Sequence, residues 1–114
     1  MTVNEQIIQA LQRFGYPIAQ GFYEGKQKEY ITFDLPDDRG TCYADDGPGD
    51  TIVDVKIHLT VPLEKDYLTT KKEIRKALYQ AGFAYPDVTV LTEPDGRNRR
   101  IIFETQIDNY DELE

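Results

Sequence analysis

The stretch Asp50-Thr-Ile-Val-Asp-Val-Lys-Ile-His-Leu-Thr-Val-Pro-Leu63, followed by Glu64-Lys-Asp-Tyr-Leu68 and Thr69-Thr-Lys-Lys-Glu-Ile-Arg-Lys-Ala-Leu-Tyr-Gln-Ala81-Gly82, decides the fold. In its first part Val53, Val55, Ile57, Leu59 and Val61 alternate with Asp54, Lys56, His58 and Thr60. A strict period of two built from β-branched residues predicts a half-buried antiparallel strand, and a slip of one residue would turn its whole apolar row to water. In the last part Thr70, Ile74, Ala77, Leu78 and Ala81 recur at spacings of three and four, with Gly82 placed to close a helix in the left-handed conformation. The reading is an amphipathic helix packed on the strand's apolar row.

Working outward, Ile7, Ile8, Leu11 and Phe14 make an apolar stripe on an N-terminal helix that Thr2 or Asn4 can cap and Gly15 can close. Tyr16-Pro17 then ends helical geometry. Residues Ile18 to Tyr23 have strand character, and Glu24 to Lys28 read as a polar turn, which suggests a short hairpin into the next strand. That strand alternates Ile31, Phe33 and Leu35 with Tyr30, Thr32 and Asp34 and is expected to stop at Pro36. Pro36 to Asp50, rich in Gly, Pro and Asp, reads as a long hairpin connection in which only Thr41 to Ala44 can pair. Beyond the central helix, a strand is predicted at Asp87 to Thr92, a turn at Pro94-Asp-Gly96, and a final strand over about Arg99 to Ile107 with Ile101, Phe103, Thr105 and Ile107 on one face. Asp108 to Glu114 is expected to be a frayed acidic tail. The expected class is α+β: one domain over residues 1–114, an antiparallel sheet of four to five strands with two helices packed on one face.

Thirteen Lys and Arg against 21 Asp and Glu give a formal charge of −8 over 114 residues. A surface that negative repels phosphate backbones, which argues against sequence-specific nucleic-acid binding. No apolar run approaches a membrane span, and Met1 to Glu5 lacks the pattern of a secretory signal, so no membrane role and synthesis in the cytoplasm are expected. Cys42 is the only cysteine and has no partner for an internal disulfide.

The residues offer little for catalysis. His58 is the only histidine, and on the polar side of its strand it reads as a solvated or interface residue. Serine is absent, which removes a serine nucleophile, and Cys42 has no histidine near it in sequence. The aspartates Asp37, Asp38, Asp45, Asp46 and Asp50 supply oxygen ligands in a glycine-containing loop, yet their spacing does not match a calcium loop of the helix-loop-helix kind. Gly47 and Gly49 precede no strand-to-helix step and so make no phosphate cradle. No catalytic residue, cofactor or metal site is assigned.

Two basic patches stand against the acidic total: Lys71, Lys72, Arg75 and Lys76 on the outward side of the central helix, and Arg97, Arg99 and Arg100 after the Asp-Gly turn. A charged helix face is commonly just solvated. The sharper reading is that these patches meet the Asp-rich loop of a neighbouring copy. Eight tyrosines, among them Tyr23, Tyr30, Tyr43, Tyr67, Tyr79 and Tyr85, suit subunit contacts where a ring is buried and its hydroxyl kept wet. The expected contact residues are Asp37, Asp38, Arg39, Tyr43, Asp45, Asp46, Asp50, Lys72, Arg75, Arg97 and Arg99.

The succession Tyr30-Ile-Thr-Phe33, an acidic Gly-rich loop, Ile52-Val-Asp-Val-Lys-Ile-His-Leu-Thr-Val61, Ile74-Arg-Lys-Ala-Leu-Tyr-Gln-Ala-Gly-Phe83 and Arg100-Ile-Ile-Phe-Glu-Thr-Gln-Ile107 resembles the small tail terminator, or tail completion, proteins of long-tailed bacteriophages and prophages. The resemblance covers nearly the whole chain. It implies a structural protein without catalytic residues that caps the tail tube as a homo-oligomeric, commonly hexameric, ring, stops tube polymerisation and joins tail to head. Its implied partners are further copies of itself, the tail tube protein and a head-neck protein, and its implied place is the virion tail or neck. A ring of such acidic copies has a lumen through which DNA slides without sticking. Three other readings remain at this point: a head-completion or neck stopper protein of the same particle, an acidic cytosolic binding module that blocks a basic partner, and an enzyme that uses the Asp cluster with a divalent ion.

Overall fold

The alternation around Ile57 becomes the central strand of a five-stranded sheet. The computed structural model describes the backbone of residues 2–40, 43–44, 47–48 and 51–108, and the side chains of residues 2–35 and 52–107. Strand β5 (Thr51–Pro62) buries Val53, Val55, Ile57, Leu59 and Val61 on one face. It is flanked on both sides by antiparallel neighbours, β2 (Tyr30–Gly40) and β7 (Asn98–Asp108), so that Phe33, Ile57 and Phe103 stand side by side in one row. All three are at most 2% exposed, and such a row of large side chains is the densest part of the core.

The remaining elements are α1 (Val3–Leu11), β1 (Ile18–Gln20), β3 (Tyr43–Ala44), β4 (Gly47–Pro48), α2 (Leu68–Gln80) and β6 (Asp87–Thr92). Sheet order is β1-β2-β5-β7-β6, with β3 and β4 forming a separate two-stranded ladder. Helix α1 supplies Val3, Ile7 and Leu11 to the core and α2 supplies Ile74 and Leu78, both on the face of the sheet that carries the apolar row. This is the expected α+β layer, with one difference in strand direction described below.

Both helices end where local chemistry says they should. The Thr2 hydroxyl accepts from the Glu5 N–H while the Glu5 carboxylate accepts from the Thr2 N–H, a reciprocal capping box that satisfies donors the first turn leaves free. Thr2→Ala is therefore expected to lower stability by about 1 kcal/mol, read as a shift of the denaturant midpoint at unchanged slope. At the far end of α2, Gly82 adopts φ +102, the Phe83 N–H reaches the Leu78 carbonyl, and the buried Phe83 ring anchors the exit. The α1 stripe is shifted from expectation: Ile8 is 41% exposed and Val3 is buried, because Val3, Ile7 and Leu11 recur every four residues on one face and Ile8 is turned about 100° from Ile7. On α2, Ala81 lies past the helix end and is exposed.

Three corrections concern the strands. Residues 18–20 do not form a hairpin with β2 but pair with Ile31 to Phe33 in parallel. So short a strand needs only the intervening loop to return the chain, and that loop comes back on the open side, where the Tyr23 ring stacks on Tyr30 at 4.7 Å. Pro36 does not stop β2: between Asp34 and Asp37 the register against β5 shifts by one residue, and Pro36 falls in that bulge, where no ladder N–H is required. Of the connection expected over 36–50, residues up to Gly40 continue β2, and Tyr43–Ala44 pairs with Gly47–Pro48. Asp45, Asp46, Asp50, Cys42 and the tail beyond Asp108 lie outside the described residues.

Candidate assembly surface

The helices cover one face of the sheet, and the other carries cross-strand rows of mixed character. One row runs Thr32, His58, Ile102, Thr89; the next runs Asp34, Lys56, Glu104, Asp87. His58 is more buried than a solvated histidine, its side chain being 13% exposed. Its Nε2 lies 3.8 Å from an Asp34 carboxylate oxygen, and its buried Nδ1 has no hydrogen-bond partner among the described residues. Burial, reinforced by the Arg100 guanidinium and opposed by Asp34, holds its pKa below the ordinary 6.5. The unfolded chain then takes up a proton first as pH falls, so the contribution of neutral His58 is present above 6.5 and is lost below it. We expect wild type to lose more stability than His58→Gln over that descent, in urea melts at stepped pH; parallel curves would contradict it.

The two edges of the sheet differ. Among the described residues strand β6 is bonded only to β7, and its six residues include no Pro, Lys, Arg or bulge. Val90 and Leu91 on it are 38% and 39% exposed. The opposite edge begins with β1, but at Gly21 (φ +85) the chain turns out of the sheet, its N–H bonded to the Phe33 carbonyl. From Asp34 to Gly40, β2 has no described neighbour on that side.

Beside β6 runs the outer stripe of α2. Leu68, Lys72, Arg75 and Tyr79 follow at helical spacing, with Leu68 57% and Tyr79 61% exposed. The Arg75 guanidinium donates through Nε and Nη2 to the Pro86 carbonyl at 3.1 and 2.8 Å and lies 4.4 Å from the centre of the Tyr85 ring. Tyr79 meets Tyr85 edge to face. Of the seven large apolar side chains exposed among the described residues, four (Leu68, Tyr79, Val90, Leu91) belong to this stripe and strand, and a fifth, Tyr85, lies in the loop that joins them. Sequence reasoning singled out the two tyrosines and strand edges in general but missed Leu68, although the spacing of Leu68, Arg75 and Tyr79 on one helix face was readable.

The contact residues expected from sequence are distributed as follows. Lys72 and Arg75 lie on the α2 stripe. Arg99 places its guanidinium 4.9 Å from the Tyr67 ring centre at the start of α2, and the Arg97 carbonyl accepts from the Leu63 N–H. Asp37, Asp38 and Arg39 occupy β2 opposite Asp54, Val53 and Ile52, and Tyr43 is in β3. Pro62 pairs with Asn98 and Asp54 with Asp37, so the Arg97 end of the sheet and Asp37 are separated by about 26 Å of strand. Among the described residues no three His, Cys, Asp or Glu side chains group to hold a metal ion, and no helix is long and apolar enough to cross a membrane. A hollow of about 350 Å³ between Tyr85, Asp87, Lys56 and Glu104 opens broadly to solvent.

This arrangement defines a two-layer α+β protein with a mixed, mostly antiparallel sheet, one open face and two unlike edges. No protein-family model and no curated protein sequence matches the chain. Among solved structures it is similar in fold to a chain described as "Virion of native gene transfer agent (GTA) particle", with a TM-score of 0.63 over 93% of this chain and 92% of that one, at 12% sequence identity.

Proposed function

We propose that this chain is a structural protein of a phage-like particle, which caps the tail tube as a ring of identical copies, ends tube growth and presents the surface that joins tail to head. The observation that carries the reading is the shared fold over nearly the full length of both this chain and the virion chain. The −8 charge supports it, since an acidic ring lets DNA pass. So does the distance along the strands between Asp37 and the Arg97 end of the sheet, which favours contacts between copies over contacts within one for those groups. In this proposal Asp37, Asp38, Arg39, Tyr43, Asp45, Asp46 and Asp50 of one copy face Lys72, Arg75, Arg97 and Arg99 of others, the tail tube protein binds one side of the ring and the head-neck protein the other. The test is electron microscopy of particles made without the gene. Overlong, headless tails are expected; tails of normal length lacking heads would assign the neck stopper role instead, and intact infectious particles would overturn both.

A further inference from the structure

We infer that copies join edge to edge, the outer edge of β6 in one copy pairing antiparallel with the Asp34–Gly40 length of β2 in the next, both edges without a neighbour among the described residues; this rests on the ring reading above and specifies its contact. Four observations lead there. First, β6 is six residues long and free of Pro, Lys, Arg and bulges, its one charge, Asp87, stands at its first position, and Val90 and Leu91 are exposed. Second, direction fits. Strand β6 runs opposite to β2 within one sheet, since three antiparallel steps separate them. Neighbours related by rotation about an axis near the strand direction keep that relation, so β6 meets the next β2 antiparallel, the pairing that needs no connection.

Third, height fits. Within one sheet Asp87 shares a row with Asp34, so β6 lies level with β1, and the bare length of β2 lies beyond it. Strands in a closed sheet tilt by about 35–45°, which over five strands amounts to an offset of roughly five to seven residues. An offset of that size brings β6 alongside the length that Gly21 leaves uncovered. Fourth, charge fits. The Asp34–Gly40 length of β2 carries Asp34, Asp37 and Asp38 against a single Arg39 in sequence, and the stripe flanking β6 carries Lys72 and Arg75. Two copies meeting through opposite edges make a head-to-tail contact, the kind that closes rings.

The experiment uses the full chain in a Cys42→Ala background, with Val90→Cys or Leu91→Cys combined with Asp34→Cys, Asp37→Cys or Asp38→Cys, oxidised and run on non-reducing gels. A ladder of covalent multimers from at least one pair is expected, with none from the single-cysteine parents beyond a dimer. Leu91→Lys, on an exposed edge position, should leave the melting curve in place and cut multimer yield about tenfold, equivalent to 1.4 kcal/mol per contact. An amine-reactive cross-linker run in parallel separates the two ideas. Multimers with that reagent but with no cysteine pair would overturn the strand pairing and leave the ring standing. Monomers under both treatments would overturn the pairing and the ring together.

Discussion

Ile57→Asp is expected to abolish folding, while Lys56→Thr one residue away leaves stability within about 0.5 kcal/mol of wild type. Ile57 has 0% exposure and stands between Phe33 and Phe103, where a carboxylate finds neither water nor a cation. Burying such a group costs several kcal/mol, on the order of half or more of a small domain's whole stability. Lys56 points to the open face, so Thr there changes hydration little and suits a strand. Circular dichroism and urea titration of both variants check the contrast. Equal losses at the two positions would mean that the alternation does not divide core from solvent.

The second large effect concerns the neighbouring strand. Phe103→Ala should cost about 3–5 kcal/mol, because Phe103 is fully buried against Ile57 and Val88, and truncation removes transfer free energy and leaves a cavity as well. For a chain of this length that lowers the melting temperature by on the order of 15 °C. Ile102→Ala, on the opposite face beside His58, should cost about 1 kcal/mol or less, since Ile102 is only half-buried. A calorimetric scan reads both. If the Ile102 variant fell as far as the Phe103 variant, the open face would have to be covered in the isolated protein, contrary to the one-sided layer.

The strands and helices with strong periodicity were legible, and each for a local reason. Val53 to Val61 and Ile101 to Phe103 alternate because one face is buried. Gly82 closes α2 because it alone takes a positive φ there without strain, and the Thr2-Glu5 box opens α1. Pro36 misled because a proline was weighed as a strand breaker, whereas a bulge accommodates its missing N–H. Residues 18–20 misled because adjacency in sequence favours a hairpin; nothing local records that β1 enters parallel to β2. The contact residues are a mixed case: Lys72 and Arg75 fall on one outer stripe of α2, but Arg97 and Arg99 lie at the other end of the sheet from Asp37 and Asp38.

The sequence by itself determined which faces are apolar, where helices begin and end, and the net charge of −8, because periodicity, capping and ionisation depend on residues close together in the chain. Only the tertiary structure decided that β5 lies at the centre, that β1 runs parallel, and that β6 and the far half of β2 are left as unlike edges of one sheet. Strand order and edge exposure follow from contacts between residues tens of positions apart, settled by how two helices can cover five strands, and no local pattern encodes them.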